Sequence, residues 1–288
     1  MRDPYPVIEI WENPTPEQMT HSAETLVQQL TGPLWISIEG TDTSRCRVIT
    51  TLLHGNEPSG LYALHEWICA GHKPAVTLHC FIGAVTAAQT APLFSHRHLS
   101  DQRDLNRCFR PPFDGEQGGL AKRVLQRIES LHPECAIDIH NTSGAGPAFA
   151  VSIQLDQEHQ RLAQHFTHRL VLTELLLGAF MEMTHATMPV ITIECGGAHE
   201  QSAHQVAAQG LDSFARSEDP FQPTIPQALD IYRHPLRLEI APGTSISYGR
   251  EVNSGKDLTI ISHIEQFNFG IVTPSQPLAW LPVAMNNL

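Results

Sequence analysis

Short apolar runs that end at a histidine or an acid, separated by amphipathic stretches, constrain this chain more than any other feature of its sequence. Arg47–Leu53 (RVITTLL) gives way to His54-Gly55-Asn56-Glu57, Ala136–His140 reads AIDIH, and Val190–Glu194 reads VITIE. Such runs are short and rich in β-branched residues, which marks them as strands. Further strands are expected at Val7–Trp11, Leu34–Glu39, Val76–Val85 and Phe149–Ile153. Helices are expected at Pro16–Leu30, after Pro58 (Leu61, Leu64, His65 and Ile68 in step), at Gln157–Leu170 and at Ala203–Phe214. Gly119–Leu131 is another, with Leu120, Val124, Ile128 and Leu131 on one face. Strands alternating with helices predict an α/β sheet covered on both faces. Beyond Pro226 the texture changes to alternating segments (Leu236–Ile240, Leu258–Ser262) and Gly/Pro turns. The chain therefore divides into an α/β domain, 1–226, and a smaller β-rich unit, 227–288.

Composition narrows the function. With 288 residues the chain can bury a sizeable core without disulfides. Its net charge of −12 repels phosphate backbones, so no nucleic-acid partner is expected. No run of 18 apolar residues occurs, so no membrane span is expected either. The start of the sequence lacks a positive region followed by an apolar run. Six cysteines are scattered without a C-x-x-C pair and read as free, mostly buried thiols, which favours a cytoplasmic protein. Self-association is left open. The 17 histidines raise the expectation of metal or acid–base chemistry without locating it.

The spacing of ligand-type residues locates it. His54 and Glu57 stand where a strand turns into a helix, and Gly55 leaves the backbone room to aim both side chains at one point. Open α/β sheets bind ligands at that edge. His140 ends another strand, and Asp138, two residues earlier, shares its face and is suited to orienting the imidazole. The residues alone leave two readings of this pair: metal ligand with its orienting carboxylate, or turn-capping acid and loop histidine. Glu194 closes an otherwise apolar strand, where an unpaired carboxylate is costly. It is suited to general-base chemistry or, on the plainer reading, to a solvent edge. Zinc accepts two imidazoles and one carboxylate and keeps a position open for water.

The motifs LLHGNEPSG (52–60), DLNRCF (104–109), AIDIHNTSG (136–144) and ITIECGG (191–197), in that order, resemble those of the succinylglutamate desuccinylase/aspartoacylase family. The resemblance covers about residues 46–200. It implies a zinc carboxypeptidase-like mixed sheet flanked by helices, with the C-terminal β-rich unit as its appendage. It also implies one Zn2+ per chain, held by His54, Glu57 and His140. On the same footing Glu194 matches the catalytic base and Arg97 the arginine that polarises the scissile carbonyl, with Arg103 as competitor. Asn106, Arg107 and Asn141 fall at substrate-binding positions, an Arg fork being suited to a carboxylate. The implied activity is hydrolysis of an N-acyl amino acid or related carboxylate-bearing amide by metal-activated water. A peptide-trimming zinc carboxypeptidase and an inactive metal-binding homologue are the alternatives. One departure bears on substrate. Family acylases carry a further arginine upstream of the catalytic glutamate, and Thr184 stands there in this chain. No Lys or Arg occurs between Arg169 and Arg216, and His185 is the nearest stand-in.

Other signals are weaker. His199-Glu200 with His204 has one residue too many for a helical metal pair, because i and i+5 diverge by about 140°. His165 and His168 read as a solvated helix face. Neither a G-x-S-x-G elbow nor a dinucleotide glycine fingerprint occurs.

Overall fold

The computed structural model describes residues 7–185, 188–222, 228–235 and 239–282. The first of two compact units runs to Pro235. It contains β1 (Glu9–Glu12), α1 (Ala23–Gln29), β2 (Leu34–Ile38), β3 (Asp42–Thr51), α2 (Ser59–Cys69), β4 (Val76–Ile82), α3 (Val85–Gln89) and α4 (Gly115–Leu131). It continues with β5 (Ala136–Thr142), β6 (Phe149–Ser152), α5 (Gln157–Gln164), β7 (Arg169–Leu172), β8 (Val190–Gly197), α6 (Gln201–Arg216) and β9 (Asp230–Arg233). Among the described residues its nine strands form one mixed sheet in the order β1-β2-β4-β3-β5-β8-β6-β7-β9. The pairings β2–β4 and β6–β8 are antiparallel and the others parallel.

Strand periodicity divides the core into two layers. Leu34 and Ile36, Ile49, Ile137 and Ile139, and Ile191 and Ile193 join one cluster, with Leu26, Leu61, Leu162 and Leu211 of α1, α2, α5 and α6. Their neighbours Trp35, Val48, Ala136 and Val190 face the other side and meet Leu120, Val124 and Ile128 of α4. Each fully buried Leu, Ile or Val among them contributes roughly 1.5–3 kcal/mol. Asp138, His140, Thr192 and Glu194 alternate in phase with Ala136 and Val190. They share the α4 face of the sheet and lie towards the C-terminal ends of β5 and β8.

Two expected helices are shorter than their sequence patterns. The first begins only at Ala23, capped by Ser22, whose Oγ accepts from Thr25 N; Thr20, at φ +64°, interrupts the pattern before it. The helix expected to reach Leu170 stops at Gln164, and Arg169–Leu172 joins the sheet as β7. There Phe166 packs against Gly210, and Thr167 Oγ1 donates to the Ala148 carbonyl at 2.8 Å. Sheet pairing thus overrides a local helical pattern.

The second unit, 236–288, contains β10 (Ile246–Gly249), β11 (Leu258–Ile261) and β12 (Ala279–Trp280). β11 pairs parallel with β10 and antiparallel with β12. The expected junction at 226/227 and most of the expected strand Leu236–Ile240 lie outside the described residues. β9 belongs to the large sheet through its pairing with β7. All six cysteines are free, four of them buried. No helix among the described residues is long and apolar enough to cross a membrane.

Candidate metal centre

Adjacent parallel strands bring distant residues together. β3 pairs with β5, and β5 with β8 in a register that sets His140 beside Glu194. The turn after β3 carries His54 and Glu57 to the same edge. Gly55 is required in that turn: a Cβ there would lie 2.5 Å from Ala88 N and 2.7 Å from the His96 carbonyl oxygen. Its own N–H donates to the Arg97 carbonyl at 2.9 Å, which fastens the arginine-bearing segment to the turn.

His54, Glu57 and His140 are buried, and their ligand-type atoms all lie within 4.8 Å of one another. His54 Nδ1 stands 2.9 Å from Glu57 Oε1, and His140 Nδ1 stands 2.6 Å from Glu57 Oε2. The His54 contact lacks hydrogen-bond geometry, which leaves Nδ1 buried without a protein partner. An orphaned buried polar atom costs about 1–3 kcal/mol, so it needs an occupant. Two ring nitrogens and a carboxylate converging in this way are a donor set that fits zinc. With Nδ1 turned to the common point, each ring's Nε2 faces an acid: Asp104 Oδ1 at 3.0 Å for His54, Asp138 Oδ2 at 2.5 Å for His140. Such carboxylate–imidazole pairs fix the tautomer and orientation of metal ligands. Thr50 Oγ1 in turn donates to Asp138 at 2.6 Å.

Charges reinforce this geometry. Burial alone would raise the Glu57 carboxyl, but attraction to the neighbouring imidazoles, His140 before His54, holds it down to about 2. Burial opposes protonation of His140, yet Asp138 and Glu57 raise its pKa well above the usual imidazole range. Asp104 is likewise held low against the effect of burial, by His54, Arg97 and Arg107. Glu194 moves the other way: burial pushes its carboxyl up to about 8. Its Oε2 is enclosed and without a hydrogen-bond partner.

A cavity of about 340 Å³ opens over these groups, and Arg97, Asn106, Arg107, Asn141 and Glu194 all line it. Arg97 donates to Asp104 Oδ2 at 3.0 Å and to Glu57 Oε1 at 3.3 Å. Arg103 is exposed and turns away to the Asp114 carbonyl. Arg107 donates to the Asn106 carbonyl at 2.7 Å and forms no salt bridge among the described residues. Asn106 lies with Nδ2 3.2 Å from His140 Nε2, while its Oδ1 accepts from Phe180 N. Asn141 is engaged differently from the substrate contact expected of it. Both hydrogens of its amide go to the protein, to Ser59 Oγ and the Gly196 carbonyl, and its backbone N–H donates to Glu57 Oε2 at 3.2 Å. It positions Glu57 and the start of α2.

Three further expectations meet the structure here. Thr184 Oγ1 is bonded to His159 Nε2 and to Val190 N, and His185 lines a different cavity with Met183 and Met188. Neither reaches the His54–Glu57–His140 cluster. His204 pairs with Ser59 Oγ at 2.7 Å and joins α2 to α6. His165, expected on a solvated face, is instead buried, with one ring nitrogen on Ser213 Oγ and the other on the Pro220 carbonyl. Asp104 is a residue whose role the sequence reading missed. Its only signal was its place at the head of DLNR, because the partner it orients lies 50 residues away.

The model of the succinylglutamate desuccinylase/aspartoacylase catalytic domain matches residues 47–217 of the chain. Among solved structures, succinylglutamate desuccinylase from Vibrio cholerae superposes with a TM-score of 0.59 at 15% identity, covering 81% of this chain and 78% of that one. The enzyme of the same name from Chromobacterium violaceum gives 0.55 at 17%, covering 78% and 82%. A product-bound ectoine utilization protein from Ruegeria pomeroyi gives 0.53 at 21%, covering 69% and 65%. None of the curated proteins matches the sequence significantly. At these identities the structural likenesses establish the fold.

Proposed function

Because the chain belongs to the succinylglutamate desuccinylase/aspartoacylase family, we propose that it is a zinc-dependent amidohydrolase acting on a small N-acyl amino acid or related carboxylate-bearing amide. The observation that carries the proposal is the convergence of His54 Nδ1, Glu57 and His140 Nδ1 within 4.8 Å, with Glu194 next to His140 in the sheet register. One Zn2+ per chain would be held by these three residues, an imidazole and carboxylate set that favours zinc over harder cations. When bound, the ion supplies a Lewis acid and draws the pKa of water down towards about 7.

The chain's own side chains do the rest. Glu194 takes the proton from the attacking water and returns it to the leaving nitrogen; its unpartnered oxygen and raised pKa suit it to hold a proton near neutrality. Arg97 stabilises the charge that develops on the carbonyl oxygen. Arg107 and Asn106 hold the substrate carboxylate and convert affinity into orientation. Asp104 and Asp138 keep both imidazoles aimed. A cavity of about 340 Å³ suits a small amide.

Metal analysis of the purified protein, paired with hydrolysis of a panel of N-acyl amino acids, tests the reading. One equivalent of zinc and turnover are expected. Glu194→Gln is expected to keep the metal and lower kcat by about 10²–10⁴-fold. Unchanged turnover in that variant, or a protein that binds no divalent metal, would overturn the proposal.

A further inference from the structure

Beyond the reacting groups the cavity changes character. β6 runs antiparallel to β8 with Phe149 opposite Glu194 and Val151 opposite Thr192. Crossing the sheet from β5 therefore leads from His140 to Glu194 and then to apolar side chains. Leu175, Leu177 and Met181 line the same cavity. Leu175 and Leu177 are 57% and 49% exposed, an uncommon state for two large aliphatic side chains so close together on one loop.

The loop that carries them is fixed by its backbone. Leu175 N donates to Thr173 Oγ1 at 3.1 Å, and Leu177 N and Ala179 N both donate to Glu182 Oε1. The Gly178 carbonyl accepts from Phe109 N at 3.0 Å. Gly178 has φ +82° and approaches so closely that a Cβ would lie 2.6 Å from the Arg107 carbonyl oxygen. The leucines are thus held in advance beside the carboxylate-binding arginine, an arrangement that binds without an ordering cost.

The charges around the cavity admit one carboxylate. Among the described residues that line it, the arginines are Arg97 and Arg107. Arg97 is already engaged by Glu57 and Asp104, which leaves Arg107. Glu182, on the apolar side, stands 3.9 Å from the exposed Arg110 and commits its Oε1 to the loop backbone. A second carboxylate lying there would meet that acid and, among the described lining residues, no unengaged arginine.

We infer that the ligand of this site carries a single carboxylate, held by Arg107, and an apolar group that lies against Phe149, Val151, Leu175, Leu177 and Met181. That this ligand is a substrate rests on the hydrolase reading; its recognition does not. The apolar group can belong to the acyl chain or to the amino acid. N-hexanoylglycine and N-acetyl-L-leucine separate the two, against N-acetyl-L-aspartate and N-succinyl-L-glutamate as dicarboxylate counterparts.

With zinc-loaded protein, at least one of the first two is expected to show kcat/KM about tenfold or more above both dicarboxylates. The double variant Leu175→Ser/Leu177→Ser is expected to shrink that preference by about tenfold. A dicarboxylate preference, or a preference unmoved by the double variant, would overturn the inference. Calorimetry with hexanoate and leucine against succinate and glutamate reads recognition without turnover. Tighter binding of hexanoate or leucine alongside no hydrolysis of any amide would sink the hydrolase reading and support this inference. Tighter binding of the dicarboxylates would sink the inference whatever the activity.

Discussion

His54, Glu57 and His140 are at most 5% exposed, and each is held by side chains from other parts of the chain; Leu175 and Leu177, lining the same cavity, are about half exposed and touch solvent on a loop anchored through its backbone. In the first region buried polar groups lean on one another, so a single replacement strands a buried charge. In the second the leucine side chains stabilise little, and their identity can change without disturbing the fold. Proton transfer and metal binding need positions held to fractions of an ångström, which demands interlocking hydrogen bonds. Recognition of an apolar group needs area at a fixed place, which a rigid backbone with interchangeable side chains supplies.

The sharpest way to break this contrast is His140→Ala. It leaves Asp138 buried without its imidazole and Glu57 with only Arg97 and His54 beside it, a loss of about 3–5 kcal/mol by analogy with halved buried ion pairs. Chemical denaturation should register it, and metal analysis should find no bound zinc. A variant that retained both would show that the cluster is not interdependent.

A smaller effect should appear with pH in metal-free protein. Burial raises the Glu194 carboxyl from its ordinary 4.5 to about 8. The folded state then binds this proton more tightly than the unfolded state. That contribution is complete below about pH 4.5 and is lost as pH rises through about 8. Glu194→Gln has no charge to bury, so the wild type should lose a few kcal/mol relative to the variant between about pH 5 and pH 9. Parallel denaturation curves across that range would contradict the burial argument.

Asp138→Asn and Asp104→Asn keep shape but remove the acid behind each imidazole. Zinc affinity, measured by competition with a chelator, should fall about 10–100-fold in either variant. At the other end of the cavity, Leu175→Ser and Leu177→Ser singly should alter stability by no more than about 0.5 kcal/mol in urea. A loss above about 1 kcal/mol would mean that the leucine side chains, and not only the backbone, support the loop.

Much of this arrangement was legible before the coordinates. RVITTLL, AIDIH and VITIE are strands because β-branched runs of that length have few alternatives, and their ends mark the edge where ligands gather. Asp138 was readable as the partner of His140 because strand periodicity puts both on one face. Asp104 was not, because its partner His54 is joined to it only by the folding of a long loop. The amide of Asn141 offered no hint in sequence that Ser59 and Gly196 would consume it. β7 was hidden inside a helical pattern because sheet pairing outweighs a few tenths of a kcal/mol of local propensity per residue. His165 looked solvated because helical spacing reports neighbours on the same helix and not what packs over them.

By itself the sequence determined the residue types available for chemistry and the alternation of strand and helix, since both follow from local composition and period. It also determined the family, through four motifs in order. Only the tertiary structure decided which arginine lines the cavity, which acid stands behind which imidazole, and that an apolar wall faces Glu194 and the histidine cluster. Those are relations between segments distant along the chain. Their energies come from burial and from hydrogen bonds that exist only once the sheet has brought the segments within bonding distance.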